Sequence, residues 1–106
     1  MKKQKTSIAY VGGGVNFKME DWDKTFRPGN KLKFHVSSNM KIRKVSYCWN
    51  NGKRIKVKTK KNNCDLKVKI PKGVGDLPEI LIITEVKLPS GIYWEFGRRF
   101  QINNVF

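Results

Sequence analysis

The sequence predicts a single all-β domain, a sandwich of about seven antiparallel strands, on two observations. Apolar residues recur at every second position along most of the chain, and clusters of turn-forming residues cut these runs at short intervals. No helical stripe at i, i+3, i+4, i+7 escapes interruption by Gly, Pro or strand-like alternation. The length of 106 residues suits one domain and is too short for two ordinary ones. An apolar fraction of 39% suffices for one core, since a chain of this size buries about two-thirds of its unfolded surface.

Taken in order, a first strand is expected around residues 7–11. Gly12, Gly13 and Gly14 follow it, but no helix comes after them, so they are no phosphate cradle of the P-loop or dinucleotide-binding kind. They are expected to act as a joint. The chain then divides into a basic N-terminal segment with its Gly-rich joint (residues 1–14) and a sandwich domain (residues 15–106).

Residues 31–37 give the cleanest alternation, with Leu32, Phe34 and Val36 on one face and Lys31, Lys33 and His35 on the other. Residues 44–49 turn Val45, Tyr47 and Trp49 inward. Residues 54–60 set Ile55 and Val57 opposite Lys56 and Lys58, and residues 64–70 alternate Cys64, Leu66, Val68 and Ile70 with Asp65, Lys67 and Lys69. Residues 80–88 are nearly all apolar at their start, as in a central strand covered on both faces. Residues 92–102 set Ile92, Trp94 and Phe96 against Tyr93 and Glu95, with Gly97 expected as a bulge before Phe100 and Ile102.

Turn chemistry separates these runs. Asn50-Asn51-Gly52 supplies positive-φ residues for a tight hairpin, Leu88-Pro89-Ser90-Gly91 another turn, and Pro28-Gly29-Asn30 closes the segment before Lys31. About seven strands in about 100 residues is the count and spacing of an immunoglobulin-like β-sandwich.

The segment Phe26-Arg27-Pro28-Gly29-Asn30-Lys31-Leu32-Lys33-Phe34 resembles the F-x-P-G-D-x-L-x-F/V entry into the second strand of bacterial and phage immunoglobulin-like domains. Trp49 stands where such domains commonly bury a tryptophan between sheets. The inter-sheet cysteine pair of antibody domains is missing, since the second strand offers Phe34 and Val36 and the sixth Ile82 and Thr84. A tyrosine corner is missing too. The architecture implied is immunoglobulin-like without being antibody-type, and such a fold does not fix a function. Strand alternation puts Cys64 with the core residues and turns Cys48 away from Val45, Tyr47 and Trp49. A bridge between opposite faces is hard to build, so two reduced thiols are expected, consistent with a cytosolic origin.

A catalytic reading lacks parts. The single histidine, His35, lies beside Lys31 and Lys33 with no carboxylate adjacent in sequence to orient it. Glu20, Asp21 and Asp23 form the one acidic cluster, without EF-hand spacing, and read as a local counter-charge. Cys48, Cys64 and His35 are too scattered for structural zinc. No enzymatic activity, cofactor, metal or small-molecule substrate is expected.

The basic residues carry more information. Twenty-three Lys plus Arg against eight Asp plus Glu leave +15 at neutral pH. Such an excess attracts polyanions or acidic protein surfaces. In an immunoglobulin-like sandwich the second and fifth strands are neighbours, so Lys31, Lys33 and His35 are expected to share one face with Asp65, Lys67 and Lys69. A second comb follows Gly52 through Lys53, Arg54, Lys56, Lys58, Lys60 and Lys61, and a third patch is Lys41, Arg43 and Lys44. The bland reading of these lysines is a solvated surface guarding strand edges against aggregation.

The apolar stretch after Lys2, Lys3 and Lys5 is too short for a signal peptide, and no run of about 20 apolar residues offers a membrane span. A chain made in the host cytoplasm is expected, leaving it by lysis if at all. Small size, basic charge, an immunoglobulin-like fold and no secretion signal together resemble the auxiliary (decoration) proteins of phage capsids. That resemblance implies a structural protein carried on the virion. It would dock on the acidic surface of a multi-subunit protein assembly through Lys2, Lys3 and Lys5 of the tail and Lys31, Lys33, Lys56, Lys58, Lys67 and Lys69 of the strands. The alternative is a nucleic-acid-binding β module. Its need for exposed aromatics leaves Trp22 and Tyr93, because Tyr47, Trp49, Trp94, Phe96 and Phe100 are expected to serve the core.

Overall fold

The structure, a computed structural model, describes residues 7–12, 14–20, 26–73 and 78–102. Lys2, Lys3, Lys5 and Trp22 lie outside them. Among the described residues there is no helix and there are eight strands: β1 (Ser7–Gly12), β2 (Val15–Glu20), β3 (Lys31–Ser38), β4 (Lys41–Trp49), β5 (Ile55–Val57), β6 (Asn63–Lys69), β7 (Glu79–Lys87) and β8 (Tyr93–Gln101). They form two four-stranded sheets, ordered β1-β2-β3-β6 and β5-β4-β7-β8. Every neighbouring pair is antiparallel.

Alternation builds the core. Val15, Phe17 and Met19 of β2, Leu32, Phe34 and Val36 of β3, and Cys64, Leu66 and Val68 of β6 bury one face of the first sheet. Val45 of β4, Ile80, Ile82, Thr84 and Val86 of β7, and Phe100 of β8 bury the facing side of the second. Phe34 meets Phe100 across the gap with ring centroids 5.3 Å apart, within the range of favourable tilted aromatic pairs. The corner from β3 into β4 is tied by side chains: Ser38 Oγ donates to Gly14 O and accepts from Met40 N, each at 3.0 Å, and Asn62 Nδ2 donates to Met40 O at 3.1 Å.

Several expectations need correction. The strand β2 has no counterpart in the sequence reading, which assigned the glycines before it to a joint. Gly12 instead pairs with Val15, so the chain reverses between them. Gly14 takes φ +82°, and a Cβ there would meet Asn39 Oδ1 at 3.0 Å. Residues 7–12 therefore belong to the first sheet.

The bulge expected at Gly97 is absent, because β7–β8 register runs unbroken from Glu79 opposite Gln101 to Lys87 opposite Tyr93. Gly97 is small for another reason: a Cβ would sit 3.3 Å from Leu81 Cδ1. The irregularity lies in β4 instead, between Ile42 and Lys44, where Arg43 and Lys44 are both exposed.

The lysine-rich run of residues 54–60 forms only the three-residue edge strand β5. Beyond it the chain leaves for the other sheet, with Lys61 O accepting from Ile42 N at 2.8 Å and Lys60 N donating to Asn63 O at 3.0 Å.

Apolar positions at the margin of the second sheet are also open. Ile92, Trp94 and Ile55 are 59%, 56% and 47% exposed, because among the described residues no strand lies beyond β8 or β5 to close the gap over them. Phe96, Tyr47 and Trp49 are partly buried and do pack on the core.

The Asn50-Asn51 turn forms as expected, with φ +47° and +62° at the two asparagines. Both cysteines are free and buried, Cys64 between the two sheets and Cys48 on the outer side of the second. Cys64 joins the core and its thiol lies 3.3 Å from Lys58 O, while Cys48 pairs with Leu81 on the outer side.

Candidate docking surface

The outer face of the first sheet gathers the strand lysines in strict register. Across β3–β6, Lys31 stands opposite Lys69, Lys33 opposite Lys67 and His35 opposite Asp65. On the other side of β3, Lys18 of β2 stands opposite His35. The inward residues Leu32, Phe34, Leu66 and Val68 are fully packed, so a period-two strand has no other side on which to put these cations. Successive rungs lie about 7 Å apart. Like charges directly opposite one another oppose folding, and two adjacent rungs of this ladder carry them.

One rung is relieved. His35 Nδ1 lies 2.5 Å from Asp65 Oδ1. An ionised carboxylate only accepts, so Nδ1 carries the hydrogen. The bond from His35 holds the Asp65 carboxyl below its ordinary value, outweighing a small desolvation, and the charges of His35 and Lys60 act in the same direction. No carboxylate is adjacent to His35 in sequence, and its partner, 30 residues away, is brought beside it by the sheet. Glu20, Lys33, His35, Asp65 and Lys67 line a shallow depression of about 190 Å³. The His35–Asp65 pair lies in its wall, and among the described residues no hydroxyl or thiol side chain lines it.

The remaining predicted lysines are elsewhere. Lys56 stands opposite Ser46 on the outer side of the second sheet. Lys58 follows β5, and its carbonyl meets Cys64 at the start of β6. Lys58 thus lies beside the start of β6, and neither it nor Lys56 is on the β3–β6 ladder.

A further basic cluster on the second sheet escaped the sequence reading in its aromatic part. Lys41 stands opposite Lys87, which stands opposite Tyr93, and Arg43 lies over the Tyr93 ring at 4.4 Å from its centroid, a cation–π distance. Glu85 answers Arg43 at 3.2 Å and Lys44 at 3.6 Å. Among the described residues no group of three or more His, Cys, Asp and Glu is placed to hold a metal ion.

No family model matches the chain, and neither a curated protein nor a solved structure does so.

Proposed function

We propose that this chain is a non-catalytic docking module with an immunoglobulin-like sandwich. Its cationic first sheet would seat it on the acidic surface of a multi-subunit protein assembly, as an auxiliary protein on a phage capsid would sit. The fold part of the reading is supported by strand pairing: β3–β6 and β4–β7–β8 correspond to strands B–E and C–F–G of such sandwiches, with β5 in the place of C′.

The docking part rests on one observation, the facing pairs Lys31–Lys69 and Lys33–Lys67. An isolated domain gains nothing from like charges held opposite each other, whereas an acidic partner neutralises both pairs at once. Lys56 and Lys58 at the flank and Lys2, Lys3 and Lys5 in the N-terminal segment extend the same interaction in this reading.

The test is co-sedimentation of the chain with intact phage particles, run beside binding to random duplex DNA over a salt series. Particle binding that Lys33→Glu with Lys67→Glu abolishes is the expected result. Tight DNA binding with a steep salt slope, and none to particles, overturns it in favour of a nucleic-acid module. That second reading has its own support in exposed Tyr93 beside Arg43, Lys41 and Lys87, an aromatic and basic combination suited to stacking on bases.

A further inference from the structure

The four sheet edges are not alike. β6 displays Asp65, Lys67 and Lys69, and β5 is three residues set in a lysine-rich run. Charged and short edges of this sort resist pairing with other strands. β8 is nine residues long, against six, three and seven for β1, β5 and β6. It pairs with β7 without a bulge and, among the described residues, has no strand on its other side. Tyr93 and Trp94 at its start are 45% and 56% exposed.

Charge is also distributed unevenly. In a chain of net +15, β7 and β8 carry Glu79, Glu85 and Glu95 against Lys87, Arg98 and Arg99, which cancel. A second copy of so basic a protein would therefore meet no net charge on these two strands.

We infer that β8 pairs antiparallel with β8 of a second copy, about a two-fold axis at Gly97. The sequence of the strand is self-complementary in that register. Gly97 is the midpoint of Tyr93–Gln101, so all nine residues overlap. Glu95 then faces the partner's Arg99, and Arg99 the partner's Glu95. On the inner side Phe96 faces the partner's Arg98 and Trp94 the partner's Phe100, covering the exposed indole. Within the chain Glu95 meets Arg54 at 3.4 Å and Arg99 meets Glu79 at 2.6 Å. A carboxylate has several lone pairs and a guanidinium five N–H groups, so these contacts leave capacity for the partner. The two sheets β5-β4-β7-β8 become one continuous eight-stranded sheet, and both lysine faces stay clear for docking.

Sedimentation equilibrium of the full chain over a concentration series tests this, with near-ultraviolet circular dichroism to confirm folding. The unaltered chain is expected to dimerise. Glu95→Arg and Arg99→Glu singly place like charges opposite each other at two symmetric rungs and weaken the dimer by about ten-fold or more. The double variant restores the complementary pairs and the dimer. Trp94→Lys, an exposed position, weakens association independently should either charge variant fail to fold. A chain that stays monomeric throughout the series overturns the proposal. So does a dimer indifferent to both single swaps and to Trp94→Lys, or one that the double swap fails to restore.

Discussion

Lys33 and Lys67 stand directly opposite each other on the outer side of the β3–β6 ladder. Their repulsion makes a binding role separable from a merely solvating one. Lys33→Glu turns the pair into an attractive one and should stabilise the domain by about 0.2–1 kcal/mol, while weakening attachment to an acidic surface. Denaturant midpoints and particle binding measured on the same variant check both halves. A variant that is more stable and binds undiminished would remove this rung from the docking surface.

Thr84 is wholly inaccessible on the inner face of β7, and its hydroxyl has no hydrogen-bond partner. A buried polar group without a partner costs about 1–3 kcal/mol. Thr84→Val keeps the shape and removes the orphan, so it should raise stability by about 1 kcal/mol. Urea unfolding is the measurement.

Phe34 and Phe100 connect the two sheets through their rings. Phe34→Ala removes a buried ring and leaves a cavity, at a cost of about 3–5 kcal/mol. In a small domain that is a large share of the total, so the variant should be largely unfolded at growth temperature by circular dichroism.

The His35–Asp65 pair gives a pH dependence of definite sign. The carboxyl sits below its ordinary value in the folded chain and near about 3.9 when unfolded. On acidification the unfolded state takes up the proton first, so the contribution present at neutral pH is lost as pH falls below about 4. Because Asp65 is largely exposed, the effect stays under about 1 kcal/mol. The stability gap between the unaltered chain and Asp65→Asn should therefore close in acid.

Cys64 answers at the other end of the scale. Burial, then the neighbouring Asp65 charge, pushes its thiol above the ordinary range. It should resist alkylation in the folded state and react only on unfolding, which thiol labelling across a urea series can follow. On alkaline titration the unfolded chain ionises first, so stability declines as pH rises.

Alternation made much of this architecture legible. Lys31, Lys33 and His35 against Leu32, Phe34 and Val36 gave one strand's faces, and Lys67 and Lys69 were expected on the same basic face; which residue stands opposite which came from the structure. The same period was present in Val15, Phe17 and Met19, whose burial is nearly complete, but the glycines before them were read as a joint. The bulge in β4 also left a trace, since Ile42 and Val45 are three apart where two or four would keep phase.

Exposure of Trp94 left none. Alternation reports which face a side chain takes and is silent on whether its strand lies at an edge. The partnership of His35 with Asp65 became readable only once the ladder register was set.

The placement of Glu79, Glu85 and Glu95 on β7 and β8, away from the ladder lysines, gives the described residues an electric dipole as well as a net charge. A polyanionic surface therefore exerts a torque before any contact forms, turning the β6 side toward it and β8 away. Approach is biased toward the productive orientation, which raises the association rate and makes that rate fall as salt is added.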